Sequence, residues 1–158
     1  MPTLNGRTLS GTRRLYLIDT NVVSEARKEA RANPGVTAFF DQVAGGAEPV
    51  YLSAITVGEL RRGVELIRHR GDVEQARLLE AWLTMVLEQF GENILAFDAD
   101  AAQVWGRLRT PRPEHPLDKQ IAAIALVNDL TVVTRNTADF SGTGVRLRNP
   151  FLPERGVE

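Results

Sequence analysis

The chain has 158 residues, 43% apolar and 25% charged, which is room for one hydrophobic core and none for a second catalytic domain. It contains no cysteine, so disulfide frameworks, thiolate zinc sites and cysteine nucleophiles are excluded together. With 19 Lys plus Arg against 20 Asp plus Glu, a formal charge of -1 exerts no global pull on nucleic acid, and any phosphate contact has to come from local patches. No run reaches the roughly 20 apolar residues that a membrane-spanning helix requires. Residues 1–14 also lack the apolar centre of a secretory signal, and a soluble, cytoplasmic protein without membrane attachment is expected.

Residues 1–14 (MPTLNGRTLSGTRR) are polar and read as a disordered extension. Residues 15–18 then form a short apolar run ending at Asp19, the pattern of a strand buried on both faces of a parallel sheet. VVSEARK and PGVTAFFDQVA read as helical pieces parted by Asn33 and Pro34, and Val50–Ser53 reads as a second strand. A helix to about Arg70, a break at Gly71 and Asp72, and an amphipathic helix over 73–90 predict a helical hairpin. The apolar stripe of its second helix is Leu79, Trp82, Leu83, Val86 and Leu87. A strand at 94–97, a helix over 98–108 and a Pro-rich break at 110–116 follow. A helix over 117–129, a strand at 131–134 and a weaker strand near 145–147 complete the chain. Strands alternating with helices pair in parallel through right-handed crossovers. The expected fold is α/β, a three-layer α/β/α sandwich with a central parallel sheet of four to five strands, spanning residues 15–151 and followed by a tail at 152–158.

Such sheets bind ligands beyond the carboxyl ends of their strands, near the point where strand order reverses. Asp19 ends the first strand on that side, followed by Thr20 and Asn21 as hydrogen-bonding supports; an aspartate there is equally a helix cap. Glu59 lies off the arc that gathers Arg61, Arg62, Glu65 and Arg68. It falls among Ile55, Thr56, Leu60, Gly63 and Leu66, on the side facing protein, where a carboxylate needs a cation or an arginine beside it. Asp118 opens the helix containing IAAIALV, and a helix antiparallel to its strand begins over the same edge. An acid in a first turn also stabilises the helix dipole without any catalysis. Beyond the strand TVVT, which ends at Thr134, Asn136 or Asp139 offers a further oxygen. Carboxylates gathered at one point repel unless a hard cation neutralises them, and Mg2+ or Mn2+ takes such donors.

The segments YLIDTNVVSE, SAITVGELRRGVE, LDKQIAAIALVNDLTVVTRNTADF and GVRLRNPF resemble the PIN-domain family, in particular toxins of the VapC and FitB type, over residues 15–151. The resemblance implies a PIN-like nuclease domain in which Asp19, Glu59 and Asp118 bind Mg2+ (or Mn2+), with Thr20, Asn21 and Thr134 supporting them. The family's fourth acid falls at the third residue of a T-x-D pattern, where this chain has Asn136; Asp139, one helical turn on, is the substitute. The implied activity is that of a metal-dependent endoribonuclease, a hydrolase in which metal-activated water attacks phosphorus. The implied partners are an RNA substrate, a cognate antitoxin covering the acidic groove, a second copy in a homodimer, and operator DNA reached only through the antitoxin complex. Arg107, Arg109 and Arg112 precede the Asp118 helix and are candidates for RNA phosphate contact, or are simply a solvated helix end. His69 and His115 read as solvated surface residues, and Trp82 and Trp105 as core or subunit-interface packing.

Two other classes compete. A catalytically weak PIN-fold protein, acting mainly as an antitoxin and DNA-binding partner, is favoured by Asn136 alone. A phosphoacceptor domain fits poorly, because neither Lys28 nor Lys119 ends a strand and no second acid stands two residues after Asp19.

Overall fold

The computed structural model describes residues 14–153 and, ahead of them, the backbone of Thr3–Leu4 and Arg7–Thr8, which pair antiparallel. Apart from that pairing and Arg14, the expectation of disorder over 1–14 lies outside the described residues, as do residues 154–158 of the tail. Among the described residues no helix is long and apolar enough to cross a membrane.

A strand with no polar side needs cover on both faces, and β1 (Tyr16–Ile18), wholly buried, receives it at the centre of the sheet. Beside it lie β2 (Val50–Ser53) and β4 (Thr131–Val133), with β3 (Ile94–Leu95) and β5 (Leu147–Arg148) at the edges. All pairs are parallel, in the order β3-β2-β1-β4-β5. Strand order therefore reverses at β1, and the crevice rule points to the carboxyl ends of β1 and β4.

Period-two alternation splits the strand side chains between two cores. Tyr16, Ile18, Leu52 and Val133 face α1 (Thr20–Ala26), α2 (Pro34–Gly45), α3 (Ala54–His69) and α4 (Val73–Phe90). Leu17 and Val132 face α5 (Ala99–Leu108) and α6 (Pro116–Val127). The small side chains Ala122, Ala123 and Ala125 are fully buried and let α6 seat closely against sheet and helix. Gly35 opens α2 against the Pro150 carbonyl, where an added Cβ would stand 2.0 Å from that oxygen.

The element boundaries differ from the sequence expectation where side chains claim the backbone. β3 stops at Leu95 instead of 97, because Asp98 caps α5 through the Ala101 amide (2.9 Å) and Phe97 turns edge-on to Trp105 (6.0 Å). β5 begins at Leu147, later than 145, since Gly144 at φ +78 and the Thr143 hydroxyl hold Val145 in a turn. α6 starts at Pro116 and ends at Val127, short of 129, and Asp129 at φ +54 cannot continue it.

Candidate active site

Asp19 stays in the β ladder through its amide, which donates to the Val133 carbonyl (2.9 Å), while its carboxylate leaves the sheet at the carboxyl edge. It caps α1, accepting from the Thr20 amide (2.8 Å), so the capping role and a site role coexist in one side chain. Its other oxygen accepts from the Thr134 hydroxyl (2.8 Å) and the Asn21 amide nitrogen (3.1 Å). Asn21 also accepts from the Arg135 amide (3.0 Å), tying the end of β1 to the end of β4. Asp19 is only 4% exposed, and burial pushes its carboxyl above the ordinary range despite these donors; Asp139 pushes it the same way.

Glu59, half-buried on α3, accepts a hydrogen bond from the Thr20 hydroxyl (2.9 Å). Burial raises its carboxyl first, and the charge of Asp19 adds to the effect. The charged arc of α3 lies elsewhere: Arg61 and Arg68 bind Glu80 of α4 at 2.6 and 3.2 Å. Asp118, in the first turn of α6, is pushed up to about 6 by burial and then by Asp19, Asp139 and Glu59. Each of these acids therefore stands in the field of others. Among the described residues no lysine or arginine is paired with Asp19, Glu59 or Asp118.

Beyond β4 the two candidates for the further oxygen separate. Asn136 is exposed, and its backbone N–H donates to the Thr134 hydroxyl (3.0 Å). The 3-10 turn Thr137–Phe140, anchored by the buried Phe140 ring, carries Asp139 into the acidic field.

His115 lies at the surface, as the sequence reading has it, but it stands beside two of the acids. Its side chain is 51% exposed, yet Nδ1 stands 3.9 Å from Asp118 Oδ2 and Nε2 stands 3.8 Å from Asp139 Oδ1. Ligand atoms of His115, Asp118 and Asp139 all lie within 4.8 Å of one another. Its spacing of three residues before Asp118, across a helix start, was the signal that could have shown this. Lys119 was also missed: it is 7% exposed, and its ammonium binds the Arg112 carbonyl, fastening the loop before α6.

Among the described residues none of the three candidate arginines is ion-paired with the acids, although Arg112 lines the same cleft as His115 and Asp139. Arg109 lies over the Trp105 ring (4.6 Å) and reaches the Pro113 carbonyl (3.5 Å), bracing the same loop, while Arg107 and Arg112 are exposed. Trp105 is half-buried and donates to the Pro116 carbonyl (3.0 Å), and Trp82 is half-buried under Arg27 (5.9 Å).

A parallel sheet in this order, with acids converging where its strand order reverses, defines an acidic-edge α/β domain. The PIN domain model matches residues 16–144. The chain is similar to Toxin FitB of Neisseria gonorrhoeae, with 37% identity over 144 residues, 87% of this chain and 99% of the relative. It is similar to VapC ribonuclease Y4jK of Sinorhizobium fredii, with 34% identity over 146 residues, 88% of this chain and 99% of the relative. Among solved structures, FitAB bound to an IR36 DNA fragment superposes with a TM-score of 0.76 at 33% identity, covering 89% of this chain and 99% of that one. This chain belongs to the PIN-domain family.

Proposed function

We propose that the chain is a divalent-metal-dependent endoribonuclease and the toxin of a toxin–antitoxin pair, with Asp19, Glu59, Asp118 and Asp139 as its metal-holding acids. The observation that carries this reading is Asp118, raised to about 6 by its burial and by three neighbouring carboxylates. With no lysine or arginine paired to the first three acids, the donor set is one that a hard cation such as Mg2+ or Mn2+ completes. The names of the relatives, a toxin and a VapC ribonuclease, support the same conclusion.

A bound divalent cation supplies Lewis-acid polarisation of the phosphodiester and acidifies water at neutral pH. The chain's own work is positional. Thr134 and Asn21 orient Asp19, and Thr20 orients Glu59, each through a hydrogen bond given above. The hydroxyls of Thr20 and Thr134 hold Glu59 and Asp19 in place as donors to those carboxylates, and in this reading the attacking group is water. Asn136 occupies the usual position of the family's fourth acid, and Asp139 supplies its charge; that argues against the catalytically silent alternative.

Beside the site, Leu60, Val64, Ile67, Leu79 and Trp82 line an apolar trough that begins at Thr20 and Glu59. An antitoxin segment lying in it would cover the acids, and an arginine from that segment would replace the cation's charge. Operator DNA would then be met through the antitoxin, since a chain of net charge -1 offers the DNA little, and a homodimer completes the assembly. Arg107 and Arg112, exposed beside the loop, remain the candidates for RNA phosphate contact. The test is incubation with total RNA and Mn2+ or Mg2+, followed by mapping of the cleaved ends. Cleavage is expected from the wild type and is expected to vanish with EDTA and in Glu59→Gln; cleavage persisting in both would overturn the assignment.

A further inference from the structure

The acids account for an oxygen-donor site, but the imidazole standing among them is not explained by it. His115 meets Asp118 through one ring nitrogen (3.9 Å) and Asp139 through the other (3.8 Å). Two ligands each about 2.1 Å from one ion stand at most about 4.2 Å apart. A single ion takes only one ring nitrogen, so only one of these pairs can share it directly; with one ligand atom from each of His115, Asp118 and Asp139 the set lies within 4.8 Å, and the side chains must close in by roughly half an ångström to meet that limit.

The ring is delivered there by a braced loop. Lys119 binds the Arg112 carbonyl from below, Trp105 Nε1 holds the Pro116 carbonyl (3.0 Å), and the His115 carbonyl accepts from the Lys119 amide (3.0 Å). Between these ties His115 sits at φ 52, ψ 56.

We propose that His115 is a nitrogen ligand of the cation, and that it makes the site select first-row transition ions over Mg2+, with Mn2+ the least favoured of them. The proposal rests on the metal-site reading given above and adds a specificity to it. Mg2+ holds its water and favours oxygen donors, whereas imidazole suits the transition series and gains affinity along it. One nitrogen binds the ion while the other lies near an oxygen of a neighbouring acid, the kind of contact that fixes ring orientation in metal-bound histidines.

Only two histidines occur in the chain. The other, His69, ends α3 ten residues past Glu59, about 15 Å along the helix axis, so a metal-bound imidazole can be assigned without ambiguity. The test uses the tag-free protein. His115→Gly removes the ring where a glycine is at ease with positive φ, and His115→Asn, also tolerant of that backbone, is the second variant.

Mn2+ and Mg2+ affinities are measured by calorimetry, and nitrogen coupling to bound Mn2+ by pulsed EPR. The wild type is expected to show imidazole nitrogen coupling that both variants lack. Each variant is expected to lose about tenfold in Mn2+ affinity, with Mg2+ affinity changed by less than about twofold because that ion draws on the oxygens. Absence of nitrogen coupling in the wild type, or an unchanged Mn2+ to Mg2+ ratio in the variants, overturns the proposal while leaving the acidic site intact. If wild type and Asp19→Ala alike bind neither ion, the metal-site reading itself fails and the proposal falls with it.

Discussion

Two regions of the molecule treat their acids in opposite ways. On the outer side of the α3/α4 hairpin, Glu80 lies 2.6 Å from Arg61 and 3.2 Å from Arg68, and Glu74 lies 2.6 Å from Arg77. Hydrogen bonds from those guanidiniums hold both carboxyls below the ordinary glutamate range. At the carboxyl edge of the sheet, Asp19, Glu59 and Asp118 are all raised, with burial the largest cause in each. α3 belongs to both regions: Glu59 points to the edge and Arg61 to the hairpin. Where folding alone sets the charges, acids and bases are interleaved; where like charges are buried together, the fold keeps a repulsion that a cation would relieve.

The largest effect should come from breaking the edge. Asp118→Asn should slow RNA cleavage by about 100-fold or more, the range seen when a preorganised charge-stabilising group is lost; initial rates on a mapped RNA substrate check this. A tenfold effect comes next. Thr134→Val removes the hydroxyl that donates to Asp19 at 2.8 Å, and should weaken Mn2+ binding by about tenfold, as loss of a group orienting a metal ligand does; calorimetry reads it directly.

The pH dependence should differ in sign between the regions. Asp118 binds its proton more tightly when folded, at about 6 against an ordinary 3.8, so its contribution to stability is present at low pH and is lost as pH rises through about 6. Metal-free wild type should therefore gain in Tm over Asp118→Asn as pH falls from neutral towards about 5. Glu80, whose carboxyl is lowered, contributes in the opposite sense, above its ordinary range and less as pH falls. Tm scans in EDTA separate the two. The smallest effect belongs to the hairpin: Arg61→Ala should cost no more than about 1 kcal/mol in denaturant unfolding and leave cleavage unchanged.

The layered sheet was legible because β1 has no polar position between Tyr16 and Ile18, and because helix and strand periods alternate cleanly around it. The strand ends were less so, since capping by Asp98 and the Thr143 turn are decided by single side chains competing for the backbone. Of the site, Asp19 and Asp118 can be set on one edge from topology, Glu59 stands out because it avoids the charged arc of α3, and their common metal role comes from the resemblance to the PIN-domain family. The proposal of Asp139 over Asn136 draws on the 3-10 turn that Phe140 anchors, which no periodicity announces. The approach of the exposed His115 to the acids is not legible in the sequence, because a Pro-rich segment carries no period at all. Its position depends on Lys119 and Trp105 meeting loop carbonyls that pattern reading does not reach.

The central claim is that the carboxyl-edge acids share a divalent ion that the hairpin acids do not bind. Calorimetric titration of Mn2+ into wild type, Asp19→Ala and Glu80→Gln measures it most directly. Saturable binding in wild type and Glu80→Gln, with binding lost or weakened by about tenfold or more in Asp19→Ala, is the predicted result. Equal binding in all three proteins, or binding in none, would contradict it.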